Sequence, residues 1–202
     1  MKRTIKLSLV IPTYTLNKDL EKLAIFAADS YRDQVDELII CEDGGWYSPE
    51  LQHLADSYLY NKENVGFTAN VNRCWKYARG EYVAIVNSDT YLMSGKLDDL
   101  CIPGKVTSPH LVNQYIDYLA GPFWVVPATV TKERGYLMEE MKTYSSDSEY
   151  DIRVRDIFQK VPSVKIYHEQ AQTVKVAGIE GGEEQARDRK IYQELKEKGL
   201  AK

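Results

Sequence analysis

Gly80–Tyr91, GEYVAIVNSDTY, is the stretch whose reading decides the fold. Tyr82–Val86 is an unbroken apolar run, bounded by Gly80 and cut off by Asn-Ser-Asp-Thr. A run so short and so sharply ended suits a strand buried on both faces. Such a strand delivers the polar side chains at its end to the carboxyl edge of its sheet, which is where open parallel sheets bind ligands. Asp89 is therefore the first candidate for holding a divalent cation. The plainer reading is a turn-capping carboxylate.

Upstream, Leu7–Ile11 reads as a first strand ended by Pro12, which cannot donate to a ladder. Asn17 can cap a helix whose stripe is Leu16, Leu20, Leu23, Ala24 and Ala27. Glu37–Cys41 is a second strand running into Glu42-Asp43-Gly44-Gly45. Ser48-Pro49 opens a short helix, with Ser48 as cap and proline in the first turn. Tyr58–Tyr60 is a short strand, Asn64-Val65-Gly66 a turn, and Thr68–Ala78 a helix stopped by Gly80. Strands alternating with helices up to Asp89 predict an α/β fold with a doubly wound, mostly parallel sheet.

Beyond Asp89 the pattern loosens. Ser94–Pro109, rich in Gly, Pro, Ser and Lys, reads as loop or edge structure. Phe123–Val126 is an apolar run after Gly121-Pro122, and Thr129 is placed to cap a helix toward Gly135. Asp147–Gln159 reads as a helix, Val164–Tyr167 as a strand ending at His168, and Thr173–Ala177 as a further strand. Glu183–Lys198 is a charged helix with a thin stripe, Ile191 and Leu195. It reads first as a solvated face and second as a lid. There is no internal repeat and no linker marking a second domain, so residues 1–202 are expected to form one domain.

The 202 residues suffice for one sizeable core. A net charge of −4 argues against non-specific nucleic-acid or anionic-membrane binding. Cys41, Cys74 and Cys101 are odd in number and widely spaced, with neither metal pairing nor a disulfide framework, which suits a reducing cytoplasm. No apolar run approaches the roughly 20 residues of a membrane span. MKRTIKLSLVIP has the basic-then-apolar order of a signal peptide, but its apolar part is too short.

Three polar clusters fall at strand ends: Glu42-Asp43, Asn87-Ser88-Asp89 and His168. Hard oxygen ligands suit Mg2+ or Mn2+, and an added imidazole favours Mn2+. His110, after Ser-Pro in a predicted loop, is a rival ligand. His53 reads as a surface residue.

LSLVIPTY, CEDGG and NVGFTANVNRCWKYARGEYVAIVNSDTY, in this order and spacing, resemble glycosyltransferase family 2, whose fold is GT-A: a Rossmann-like, mixed, mostly parallel sheet flanked by helices. In that family strands end in Pro-Thr-Tyr, in an Asp-Asp-Gly-Ser type motif and in an Asp-x-Asp metal motif. The resemblance divides the domain into a nucleotide-sugar-binding half, 1–91, and an acceptor-binding half with the C-terminal helix, 92–202. SDSEYDIRVR resembles the family's Glu-Asp-x-Asp-x-x-x-Arg segment in two frames. One ends at Arg153 and makes Asp147 the general base. The other ends at Arg155 and makes it Glu149. Asp147 is preferred because it keeps the aspartate.

The chain departs from the pattern at Asn87, Glu42, Gly45 and Ser146, where the family more often has Asp, Asp, Ser and Glu. Asn87-Ser88-Asp89 is similar to an Asn-x-Asp form of some rhamnosyl- and related transferases, leaving Asp89 as the main metal anchor.

The resemblance implies a metal-dependent, inverting transfer of a hexosyl- or deoxyhexosyl-type sugar from a UDP-, GDP- or dTDP-linked donor to an acceptor hydroxyl. The acceptor is a glycan, a protein, a metabolite or a modified base. Asp89 and His168 would bind Mn2+ or Mg2+. Glu42 or Asp43 would accept hydrogen bonds from base or ribose. Tyr14 would stack on the base, with Pro12 and Thr13 shaping that wall; a core role for Tyr14 is the alternative. Asn64 and Ser88 complete the donor set, Asn64 doubling as a turn former. Trp124 lines an acceptor pocket or sits in the core. Asn72 would back the metal strand.

Two rival functions stand beside transfer. A sugar nucleotidyltransferase would need a Gly-rich, cationic loop after strand one, and Pro12–Leu16 has neither. A non-catalytic nucleotide- or partner-binding module on a degenerate GT-A fold accords with the Asn87 and Glu42 departures.

Overall fold

The computed structural model describes residues 4–116, 118–119, 121–170, 172–178 and 182–199. The strands are β1 (Leu7–Thr13), β2 (Glu37–Asp43), β3 (Ser57–Asn61), β4 (Tyr82–Val86), β5 (Thr90–Ser94), β6 (Val106–Leu111), β7 (Phe123–Pro127) and β8 (Phe158–His168). Among the described residues they form one sheet in the order β3-β2-β1-β4-β7-β6-β8-β5. β3, β2, β1 and β4 run parallel, and so do β6 and β8. β7 is antiparallel to both its neighbours, as β5 is to β8.

The apolar runs of β1, β2 and β4 are explained by burial on both faces. Leu7, Leu9, Ile11, Leu38, Ile40, Ala84 and Val86 face α1 (Lys18–Arg32), which presents Ala24, Ala27, Ala28 and Tyr31. Val10, Ile39, Cys41, Val83 and Ile85 face α3 (Phe67–Tyr77), which presents Val71, Cys74 and Trp75. This is the period of two expected of a strand. Asn17 caps α1 by accepting the Asp19 and Leu20 amides, and Ser48 caps α2 (Pro49–Leu54) by accepting that of Leu51.

The second half departs from its reading in three places. Ser94–Pro109 is not loop throughout: it contains the end of β5, a 3-10 turn at Leu97–Leu100 that buries both leucines, and most of β6. The helix begun at Asp147 is shorter than expected. α5 (Ser146–Val154) gives way to a 3-10 turn at Arg155–Ile157, and Phe158 already begins β8. Thr173–Ala177 is not a strand but lies in α6 (Gln172–Ala177); a β-branched run of that length cannot tell strand from helix by pattern. α4 (Ala128–Arg134) starts without a side-chain cap, and α7 (Glu183–Glu197) closes the described chain.

Trp124 is in the core and not on an acceptor wall. It is 1% exposed, 5.4 Å from Trp75 and 5.1 Å from Tyr150 between ring centroids. Its place on β7, facing α3 and α5, fixes this. Trp124→Ala is expected to cost about 3–5 kcal/mol, the usual loss for a buried tryptophan, read as a lowered denaturation midpoint at unchanged slope.

Candidate active site

The carboxyl ends of β1, β2 and β4 open onto a cavity of about 240 Å³. Pro12, Thr13, Tyr14, Asp43, Asn64, Asn87, Ser88, Asp89, Asp147 and His168 all line it. Of the donor, base and acceptor residues expected from sequence, Glu42, Glu149 and Trp124 are absent from its walls.

The Asn87–Thr90 turn is fixed from several sides. Asn87 N–H donates to the Pro122 carbonyl at 2.9 Å, and the Thr90 hydroxyl donates to the Asn87 carbonyl at 2.9 Å while accepting from Tyr31 at 3.0 Å. Antiparallel pairing of β5 with β8 sets Thr90 opposite His168, and that register brings His168 to Asp89. Nε2 of His168 lies 3.3 Å from Asp89 Oδ1, with both residues buried. Gln172 N–H, at the start of α6, donates to Asp89 Oδ2 at 3.3 Å.

His168 is held in turn by the segment after β6. Asn113 binds its carbonyl at 2.7 Å and its amide at 3.3 Å, and the Gln114 side chain stands 3.3 Å from Nδ1. His168 Nε2 and Asn87 Oδ1 are buried without a hydrogen-bond partner.

His168 Nε2 beside the Asp89 carboxylate, with Asn87 on the same cavity wall, fits a divalent cation. Among the described residues no group of three His, Cys, Asp or Glu side chains is placed to hold one. The donor set is one carboxylate, one imidazole and one amide oxygen, which leaves positions for water and phosphate oxygens, as Mg2+-type sites commonly do. His110, exposed on β6, does not line the cavity.

On the opposite side Asp43 organises the loop before α3. Its carboxylate accepts from Asn61 at 2.9 Å, Val65 N–H at 2.9 Å and Gly66 N–H at 3.0 Å. Burial pushes its carboxyl above the usual range, and these hydrogen bonds oppose the shift. Gly66 has φ 95, a left-handed geometry suited to glycine. Asn64 is carried to the cavity by this loop.

Glu42 supports the site from behind instead of touching a donor. It is fully buried and accepts four hydrogen bonds: Thr13 Oγ1 at 2.8 Å, Thr15 Oγ1 at 2.5 Å, Thr15 N–H at 2.9 Å and Gly45 N–H at 3.0 Å. It therefore fixes the Thr13–Thr15 turn that carries Tyr14. The glycine at 45 follows from the same packing. A Cβ there would stand 2.5 Å from Glu42 Oε1 and against the Thr15 carbonyl. The close approach of the Thr15 backbone and the Glu42 carboxylate leaves no room for a side chain at 45.

Asp147 lies in the first turn of α5, half-buried on the cavity wall. It accepts Ser148 N–H at 2.8 Å and Gly121 N–H at 2.9 Å. Desolvation holds its carboxyl above the ordinary range against those two donors. Glu149 is fully buried and clamped by Arg153 at 2.6 and 2.7 Å. An acid so paired, off the cavity wall, is unsuited to taking a proton from an acceptor. Asp151 is likewise buried and paired with Arg155. Asn72 does not back β4: it binds Leu137 and Glu139 ahead of α5.

The cavity also has walls that the sequence reading missed. Phe67 and Asn70 come from α3, Thr143 and Tyr144 from the segment before α5, and Glu184 from α7. Asn70, one turn after Gly66, was readable as a polar break in an apolar helix. Thr143 and Glu184 had no local signal.

Residues 8–101 match the model of glycosyl transferase family 2. This segment is of that family. It contains β1 through β5, with Tyr14, Asp43, Asn64 and Asp89. No curated protein matches the sequence. Solved structures share its GT-A fold. TarS from S. aureus superposes with a TM-score of 0.64 at 18% identity, over 81% of this chain and 36% of that one. TarS 1-349 in complex with UDP-GlcNAc gives 0.65 at 15% identity, over 85% and 61%. The mannosyltransferase PcManGT from Pyrobaculum calidifontis, in complex with GDP-Man and Mn2+, gives 0.62 at 12% identity, over 95% and 69%. The chain thus spans between 36% and 69% of the length of these proteins. Among the described residues, no helix is long and apolar enough to cross a membrane.

Proposed function

We propose that this chain is a glycosyltransferase that moves a sugar from a nucleotide-sugar donor to an acceptor hydroxyl, with inversion and with a divalent cation. One observation carries the reading. Asp89 and His168, whose Nε2 stands 3.3 Å from the Asp89 carboxylate, face the same cavity as Asp147, whose desolvated carboxyl is held by two backbone amides. The family 2 segment at 8–101 and the UDP, UDP-GlcNAc and GDP-Man complexes of structural neighbours support a nucleotide-sugar donor.

Asp89, His168 and the Asn87 amide oxygen would hold the cation. A bound cation of this kind neutralises charge developing on a leaving diphosphate. Tyr14 and Pro12 flank the base, and Asp43 offers a carboxylate whose loop contacts already fix its direction. Asn64 and Ser88 supply polar atoms along the donor. Asp147 takes the acceptor proton as its oxygen attacks the anomeric carbon. Its raised affinity for protons suits that step, because a base works best when its pKa approaches the working pH.

Tyr14→Ala is expected to weaken nucleoside binding by roughly 1–3 kcal/mol, the worth of stacking a base on an aromatic ring. Equal calorimetric affinity would make Tyr14 a bystander. The function itself is tested by incubating the protein with UDP-, GDP- and dTDP-linked sugars in Mn2+ and measuring nucleoside diphosphate by chromatography. One donor class should be consumed. The thin donor set favours, as a second reading, a binding module that retains donor without turning it over.

A further inference from the structure

α7 has one buried residue among those described, and it is a carboxylate: Asp188, 0% exposed. Its Oδ2 accepts Thr143 N–H at 2.7 Å and Tyr144 N–H at 2.9 Å. One turn earlier, Glu184 accepts the Thr143 hydroxyl at 3.1 Å and pairs with Lys142 at 3.4 Å. A helix with so little apolar face gains little from burial. Charge-assisted hydrogen bonds to backbone amides are the stronger tie.

The segment it grips leads straight into the proposed base. Ser145 has φ 65, a conformation that a non-glycine residue keeps only where its surroundings hold it. Its carbonyl accepts Glu149 N–H at 2.9 Å in the first turn of α5. On the other side the start of α3 holds the same segment. Thr68 N–H donates to the Lys142 carbonyl at 3.0 Å, and the Thr68 and Ser146 hydroxyls bond at 3.0 Å. Lys142–Ser146 is thus clamped between α3 and α7, and Asp147 is the next residue.

We propose that α7 is a polar latch on this segment, and that Asp188 is a positioning residue holding Asp147 at its place on the cavity wall. The proposal rests on Asp147 being the base. The chemistry of the latch predicts which substitutions break it. Oδ2 alone receives both amides, while Oδ1 is buried without a partner. An asparagine in its place would keep one oxygen for both amides but lose the charge, so Asp188→Asn should weaken the latch less than Asp188→Ala does. Asp188→Ala should remove it.

The experiment compares Asp188→Ala, Asp188→Asn and Asp147→Asn with the parent. It reads nucleoside diphosphate release from UDP-GlcNAc or GDP-Man, affinity for the same donor, and backbone amide exchange over residues 141–148. The latch predicts that Asp188→Ala keeps donor affinity but loses release by roughly a hundredfold, the scale of an ångström-sized misplacement of a catalytic group. The Thr143 and Tyr144 amides should lose most protection in that variant, and Asp188→Asn should fall between it and the parent in both protection and release.

Parental release by Asp188→Ala, in a protein that Asp147→Asn inactivates, overturns the latch. Parental release by Asp147→Asn overturns the base assignment instead, and exchange then judges the latch by itself. If Asp188→Ala does not melt cooperatively, the parent decides. Unprotected Thr143 and Tyr144 amides would contradict the latch, and protection partly retained in Asp188→Asn would support it.

Discussion

Asp147→Asn is expected to leave donor affinity intact and to lower sugar transfer by about a hundredfold to ten-thousandfold, the usual worth of a general base. The substitution keeps the size of the side chain, but its single oxygen can accept from only one of Ser148, which bonds Oδ1, and Gly121, which bonds Oδ2. It removes the capacity to take a proton and one of these two hydrogen bonds, so retained donor affinity is the control that the wall keeps its shape. The pH profile gives an independent reading. Desolvation raises the Asp147 carboxyl, so the acid limb of kcat should lie above the ordinary carboxylate range in the parent and disappear with the base.

Stability has the opposite sign. A carboxyl whose folded pKa is raised contributes stability below its unfolded pKa, and that contribution is lost as pH rises through the folded value. At neutral pH the parent carries a desolvated charge there, so relief of that cost in Asp147→Asn should offset part of the hydrogen bond that the variant loses. Loss of donor binding together with activity would make Asp147 a donor-site residue instead.

Asp89→Ala should abolish Mn2+-dependent binding of a nucleoside diphosphate while the protein remains folded. Asp89 is the one carboxylate among Asn87, Asp89 and His168, the three side chains that could hold the cation. Its carboxylate meets the Gln172 amide at 3.3 Å and the His168 imidazole at 3.3 Å, both long contacts that the fold can lose. Removing it leaves an imidazole and an amide, a set with no charge to offset a dication. Titration calorimetry with UDP or GDP, with and without Mn2+, reads the effect. Unchanged affinity would sink the assignment.

The first half of the fold was legible because local and global signals agree there. Leu7–Ile11, Glu37–Cys41 and Tyr82–Val86 are strands buried on both faces, and Asn17 and Ser48 announce helix starts by side-chain chemistry that acts within three residues. The second half depends on distant pairings. β6 is interrupted by Pro109, β8 by Pro162, and their register shifts at Pro109/His110; nothing local in Ser94–Pro109 specifies the partners.

The site divided along the same line. Asp89 and Tyr14 line the cavity as expected because strand ends point to the sheet's edge. Glu42 was misread as a donor contact because the sequence shows an acid beside Asp43 but not the two threonines, 13 and 15, that enclose it. Glu149 and Asp147 are two residues apart on α5 and fitted two frames of the motif, with Asp147 preferred for keeping the aspartate. Only the fold sends one to Arg153 and the other to the cavity. Glu184 and Asp188 read as surface charge, since a helix with a thin apolar stripe gives no local sign that its carboxylates grip a backbone more than forty residues away.

This cavity is proposed to bind a nucleotide sugar with the help of a divalent cation. A thermal melt across nucleotides and UDP-, GDP- and dTDP-linked sugars, each with and without Mn2+, tests it most directly. A ligand present at a hundred times its Kd stabilises the native state by about 2.7 kcal/mol, which is roughly 5–10 °C for a domain of this size. The account predicts a rise of that order for one nucleotide class, larger with Mn2+ and without the Mn2+ increment in Asp89→Ala. No rise with any nucleotide sugar in Mn2+, in a protein that melts cooperatively, would contradict it.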